Sequence, residues 1–150
     1  MWERCAGSHA ERMRESRTAA ESFLGHPDPN LRRAALMALR SHWGLGRDKD
    51  FAATCERLVF EDPDVEVRSL AIGFLSLCYS GSDDSHVGRL TAHLVVDDSA
   101  PRELRATAYR ALIVIRGLPT RAFTAAFRSK SRFPEGVDWA FVDTFLDRGE

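Results

Sequence analysis

Pro63-Asp64-Val65-Glu66-Val67-Arg68-Ser69-Leu70-Ala71-Ile72-Gly73-Phe74-Leu75 is the stretch on which the fold of this chain turns. Val67, Leu70, Ala71, Phe74 and Leu75 recur at i, i+3, i+4, i+7 and i+8, the spacing of one face of an α-helix. Pro63 stands just before that helix, where a missing N–H costs nothing. The same pattern lies 36 residues earlier in Pro27 to Leu39, on Leu31, Ala34, Ala35, Ala38 and Leu39. It returns 37 residues later on Leu104, Thr107, Ala108, Ala111 and Leu112. All three read apolar-Arg-x-x-Ala-x-x-apolar-Leu, and each follows an acidic, proline-containing turn. A fixed period near three dozen residues is the mark of a repeat architecture.

Working outward, every one of these helices is preceded by a second amphipathic stretch. Phe51, Cys55, Leu58 and Val59 share a face over roughly 48–60, and Val87, Leu90, Leu94 and Val95 do so over 85–96. Met13, Ala19, Ala20, Phe23 and Leu24 predict an outer helix around 8–24, with polar first turns suited to the end of a stack. Phe123, Ala126 and Phe127 mark a short outer helix, and Val137, Ala140, Phe141, Thr144 and Phe145 restore the inner pattern over 136–147. Turn compositions follow the inner helices at 44–46, 80–84 and 117–119. The expected architecture is all-α, a single domain over 1–150 of four helix pairs at about 8–43, 47–80, 84–116 and 119–148. Strands are not expected.

Composition fits this reading and narrows the function. The apolar fraction is 44% and the charged fraction 29%, so a disordered chain is excluded. The net charge of −1 is unevenly spread, with nine basic against seven acidic residues in 1–50, three against nine in 51–100, and nine against six in 101–150. An acidic middle interrupts any phosphate-tracking stripe, so nucleic acid is not the expected partner. The N-terminus carries no apolar leader core and the longest apolar helical run, Ala111 to Ile115, cannot span a bilayer. Cys5, Cys55 and Cys78 are odd in number and lack CxxC spacing, which suits a reducing cytoplasm.

No nucleophile, phosphate-loop, dinucleotide or zinc-protease motif is present. His86 and His93, seven apart, could share a helix face but have no third ligand at a recognisable spacing. Adjacent carboxylates at Asp83-Asp84 and Asp97-Asp98 diverge and make no acid/base couple by spacing, while Asp84 or Ser85 reads as a helix N-cap. The expectation is a non-enzymatic chain with no metal and no cofactor.

The turns Asp28 to Arg32, Asp64 to Arg68 and Asp98 to Arg105, with the helices they open, resemble HEAT repeats, including the HEAT-like repeats of the phycobilin-lyase type. The resemblance covers about 8–116 well and 120–148 loosely. It implies an α-solenoid whose inner helices line a hollow used to bind another protein. It implies further that Asp28, Asp64, Arg32, Arg68 and Arg105 form a structural ladder joining one repeat to the next. In the last repeat Asp138 stands at the Arg position, which reads as a modified cap, with Trp139 and Phe141 closing the end of the core.

Residues off the apolar stripe, matched across repeats, form rows expected to face the hollow: Arg33, Ser69 and Ala106; Met37, Gly73 and Arg110; Arg40, Ser76 and Ile113. A row at the helix ends holds Trp43, Tyr79 and Arg116. Aromatics and Arg dominate interface energetics, so Arg33, Met37, Arg40, Trp43, Ser69, Ser76, Tyr79, Arg110 and Arg116 are the candidate partner contacts. The function expected is a monomeric protein-binding module, with a cognate inhibitor or immunity-type protein compatible with it. The alternatives are a nucleic-acid-binding HEAT-like protein or a lyase or complex subunit.

Overall fold

The computed structural model describes residues 2–42, 48–119 and 132–147. All regular structure among them is helical, and no strand occurs. The seven helices are α1 (Trp2–Ser22), α2 (Pro29–His42), α3 (Lys49–Glu61), α4 (Val65–Cys78), α5 (Ser85–Val96), α6 (Arg102–Arg116) and α7 (Trp139–Leu146). None is long and apolar enough to cross a membrane. The chain divides into two compact units, Met1–Leu45 and Gly46–Glu150.

The first unit is the hairpin of α1 and α2. On α1, Arg17 pairs with Glu21 at 2.8 Å one turn on, and Ser22 Oγ donates to the Ala19 carbonyl as the helix tightens into a 3-10 turn at Phe23–Gly25. Asp28 then opens α2, its Oδ1 accepting the Asn30 N–H at 2.8 Å, with Pro29 at the first helical position. Leu24, Ala35, Leu36 and Leu39 are buried apolar residues of this unit. Arg32 is only 7% exposed, and its Nη1 donates to the carbonyls of His26 and Pro27 at 2.8 and 2.9 Å.

In the second unit the starts of α3, α4, α5 and α7 are each fixed by an aspartate, while Pro101 precedes α6 without a side-chain cap. Asp48 accepts the N–H groups of Asp50 and Phe51, Asp64 those of Glu66 and Val67, Asp84 that of Val87, and Asp138 that of Phe141. These carboxylates satisfy orphan donors and sit at the positive end of the helix dipole. Between α3 and α4 the Asp62 side chain accepts the Asp64 N–H at 2.9 Å, which bends the chain around Pro63. The helices α3 and α4 form one hairpin, α5 and α6 another, and α4 packs on α6. Leu58, Val59, Val67, Ile72, Leu75, Val87, Leu104, Leu112 and Ile115 are buried in this shared core.

The turn after α4 reaches the far end of α6. Gly81 N–H donates to Val114 O and Asp83 N–H to Ile115 O, both at 3.0 Å. Gly81 and Gly117 both have positive φ, and a Cβ on Gly117 would lie 3.0 Å from Gly81 Cα. The C-terminal ends of α4 and α6 therefore lie side by side.

Two expectations are corrected here. The buried arc of the inner helices is rotated by about one residue from the anticipated stripe. Leu36, Ile72 and Tyr109, matched across the three repeats, are all buried, whereas Leu31 and Ala34 are exposed and Leu70 and Phe74 are half-exposed. Each inner helix needs an apolar side toward its own outer helix, and α4 and α6 need a second toward each other, so their core face turns between the two directions. The last helix also differs from the inner-helix expectation over 136–147. α7 packs on α5, the outer helix of the preceding pair. It buries Val142 and Phe145, while Ala140 and Thr144 are exposed. Gly88 makes this approach possible, since a Cβ there would stand 2.5 Å from the Phe145 ring. Trp139 is 41% exposed, and Phe141 sits edge-on to both Tyr109 and Phe145. The anticipated short outer helix marked by Phe123, Ala126 and Phe127 lies outside the described residues.

Candidate interaction surface

The recurring Arg of α4 and that of α6 are each bound to the end of the outer helix before it, whereas Arg32 of α2 holds the turn carbonyls of His26 and Pro27. Arg68 Nε donates to Val59 O at 2.7 Å and Arg105 Nε to Val95 O at 2.9 Å. Arg105 also pairs with Asp98 at 2.7 Å and lies over the Phe133 ring. Val59 and Val95 stand in the last turns of α3 and α5, where helical carbonyls have no intrahelical donor. The Asp28 and Asp64 carboxylates accept backbone N–H groups of their own helices. Arg68 and Arg105 each clamp their own hairpin.

The exposed side of the inner helices is a stripe at i, i+4, i+7 and i+11. It carries Asn30, Ala34, Met37 and Ser41 on α2; Glu66, Leu70, Gly73 and Leu77 on α4; and Glu103, Thr107, Arg110 and Val114 on α6. Met37 is 53% exposed and Leu77 43%. On the adjoining pair α4 and α6, the stripes put two carboxylates at the N-terminal ends and two aliphatic side chains at the C-terminal ends. Gly73 leaves a notch between, since a Cβ there would meet nothing within 4 Å.

Against this surface the anticipated contacts separate. The Met37–Gly73–Arg110 row is solvent-facing as anticipated, with Gly73 and Arg110 half-exposed. Arg33, Arg40 and Ser69 are half-buried, and the Nε of Arg40 is buried without a hydrogen-bond partner. Ser76 is 4% exposed and donates to Gly73 O at 2.7 Å, and Ala106 and Ile113 are buried, so these three do not reach solvent. The rotated core arc explains this, because positions 76 and 113 fall where α4 and α6 meet their neighbours. Trp43 lies outside the described residues. Leu70, Leu77, Thr107 and Val114 are the surface positions that the stripe reading missed. The signal available was the large apolar row Leu36, Ile72 and Tyr109, which moves the core one residue on and Leu70 outward.

The row at the helix ends has another role. Arg116 pairs with Asp83 at 2.9 Å, donates from Nη2 to Thr144 Oγ1 at 2.7 Å, and lies 4.2 Å over the Phe145 ring. It joins α7 to the body of the unit. Tyr79, half-buried, borders a cleft of about 390 Å³ between the start of α3 (Asp48, Lys49, Ala52) and the end of α4 with its turn (Cys78 to Ser82). Burial, then the carboxylates of Asp84 and Glu56, push the Tyr79 phenol up, so it stays protonated and able to donate.

In the first unit a groove of about 340 Å³ runs between α1 and α2, floored by Ala19, Ala20, Ala34 and Ala38 and rimmed by Phe23 and Leu31.

The titratable groups hold no reactive pair among the described residues. His86 Nε2 lies 3.3 Å from Glu56 in solvent, and His93 is exposed. The Ser99 hydroxyl and amide hold the exposed Asp97 carboxyl below the usual carboxylate range. Burial pushes the Cys55 thiol up, with Cys78 adding to the shift, so Cys55 is an inert core thiol. No group of three or more His, Cys, Asp or Glu among the described residues could hold a metal ion. Comparison of the chain with protein-family models, with curated proteins and with solved structures returned no match.

Proposed function

We propose that this chain is a monomeric, non-enzymatic HEAT-like helical-repeat module, an α-solenoid that holds another protein on the exposed side of its inner helices. The observation that carries the reading is the recurrence of the same open positions on α2, α4 and α6 at offsets of 36 and 37 residues, with Met37 and Leu77 exposed and Leu70 and Arg110 half-exposed at them. A side chain needed only for folding would face the core or be short and polar. Instead, large aliphatic groups and one Arg stand there beside a glycine notch, and of these Met and Arg are enriched at protein interfaces. The reducing cytoplasm suits the buried thiol of Cys55.

Affinity capture from the native host tests this reading, comparing wild type with a Leu77→Asp/Arg110→Glu chain by mass spectrometry of what co-elutes. A protein held by the wild type and lost from the variant supports it. Equal recovery from both chains rules this face out.

A further inference from the structure

The turn from Ser80 to Asp83 belongs to two structures at once. On one side, Ser80, Gly81 and Ser82 form part of the wall of the cleft that Cys78 and Tyr79 also border. On the other, its backbone is tied to the end of α6 by the N–H groups of Gly81 and Asp83. Asp83 holds φ at 52°, a left-handed conformation that costs a residue with a Cβ and needs a tether to persist. Arg116 supplies a side-chain tether. Its Nε approaches Asp83 Oδ1 to 2.9 Å as a charge contact without an aligned hydrogen bond, so the contact depends on how well the guanidinium is shielded and held.

α7 does the shielding. Phe145 and Phe141 lie 4.2 and 5.5 Å from the guanidinium carbon, and Thr144 accepts from Nη2 at 2.7 Å. With α7 in place, the guanidinium is held between aromatic rings and a carboxylate. Without it, Arg116 becomes a solvated surface cation whose attraction for Asp83 is weak. The helix itself is short and sits against a glycine, Gly88, with two of its residues fully buried.

We propose that α7 is a latch on the cleft: docked, it keeps Arg116 on Asp83 and so fixes the turn that walls the cleft; undocked, it releases that turn and opens the cleft at Cys78. Nothing in this depends on which molecule the protein binds.

The test is the rate at which a bulky fluorescein maleimide labels Cys78 in the folded full chain, with peptide mass spectrometry separating Cys78 from Cys5 and Cys55. Phe145→Ala undocks α7, which hydrogen exchange at 142–146 verifies. The labelling rate at Cys78 is expected to rise about tenfold, the factor given by loss of one charge-assisted contact. Asp83→Asn keeps a residue that tolerates the left-handed turn but removes the charge. It should raise the rate similarly, and the double variant should rise no further. Faster exchange across α7 with an unchanged Cys78 rate would overturn the proposal.

Should Phe145→Ala fail to give a helical spectrum, the wild-type chain supplies the reciprocal measurement. A bulky adduct on Cys78 must speed exchange of the α7 amides, because coupling between two places acts equally in both directions. Unchanged exchange there would equally overturn it.

Discussion

Replacing Arg68 by Met isolates the clamp that the repeat motif encodes. Met retains an unbranched side chain and removes the guanidinium, whose Nε donates to Val59 O at 2.7 Å. The neighbouring carbonyl of Leu58 is taken by the Asp62 N–H, and Val59 O lies in the last turn of α3, beyond the reach of its own helix. The substitution therefore leaves a terminal carbonyl without its charged donor. A hydrogen bond to a charged group contributes about 1.5–3 kcal/mol, and a cation at a helix C-terminus adds a few tenths to the attraction. Arg68 is half-buried, so water replaces part of the loss, and about 2 kcal/mol is the expected cost. At roughly 4 °C per kcal/mol the Tm should fall by about 8 °C. Urea unfolding followed by far-UV circular dichroism measures the free energy, and Arg68→Lys should recover only part of it because the fork is lost. The alternative of an Asp–Arg ladder predicts coupling between repeats. Here a double-mutant cycle of Asp64→Ala with Arg105→Met should show less than about 0.5 kcal/mol of interaction. An Arg68→Met chain as stable as wild type, or strong coupling in that cycle, refutes the clamp.

Three further outcomes follow from the packing. Gly117→Ala places a Cβ on a residue at φ 74° and 3.0 Å from Gly81 Cα, so a loss of about 1–3 kcal/mol in thermal or urea unfolding is expected. Leu77→Asp, at a side chain 43% exposed on the open stripe, should leave stability within about 0.5 kcal/mol, read by the same unfolding curve. Burial raises the Tyr109 phenol above its ordinary value of 10.0, opposed by the hydrogen bond from the Asp138 N–H and aided by the Asp138 charge. The folded state therefore prefers the protonated phenol, and this stability is complete below pH 10.0 and lost as pH rises through the folded value. Tyr109→Phe removes the hydroxyl that accepts the Asp138 N–H at 3.1 Å; it should cost about 1 kcal/mol at neutral pH and flatten the alkaline decline in urea titrations above pH 10.0.

The helices were legible because two independent signals agree at each of them. The apolar spacing of Val67, Ala71 and Leu75 marks a helix, and Asp64 caps its first turn. Sequence leaves the cap of α5 open between Asp84 and Ser85, and the bond from the Val87 N–H to Asp84 decides it. The direction of the core was less legible. A stripe of i, i+3, i+4 and i+7 describes a helix packed on one neighbour, while α4 packs on both α3 and α6. With two neighbours the buried arc widens and turns, which takes in Ile72 and Ser76 and releases Leu70. The packing of the last helix is hard to read for a related reason. Nothing in Trp139 to Leu146 says which helix of the preceding pair it meets. The deciding residue, Gly88, lies 57 positions before Phe145 and matters only through the side chain it omits.

The surface was the hardest part to read, and the repeats themselves show why. Where the three inner helices bury the same position, its chemistry is restrained: Leu36, Ile72 and Tyr109 are all large, and Ala35, Ala71 and Ala108 are identical. Where they expose it, restraint lapses, and Ala34 matches Leu70 and Thr107 while Met37 matches Gly73 and Arg110. Folding requires nothing of the second set beyond helix compatibility, so a pattern search passes over it. That same freedom makes those positions informative. A solvent-facing site occupied by Leu in one repeat costs exposed apolar surface that Ala or Thr in the others avoids. Leu70 and Leu77, both on α4, are therefore the side chains for which the fold supplies no reason and a bound partner would.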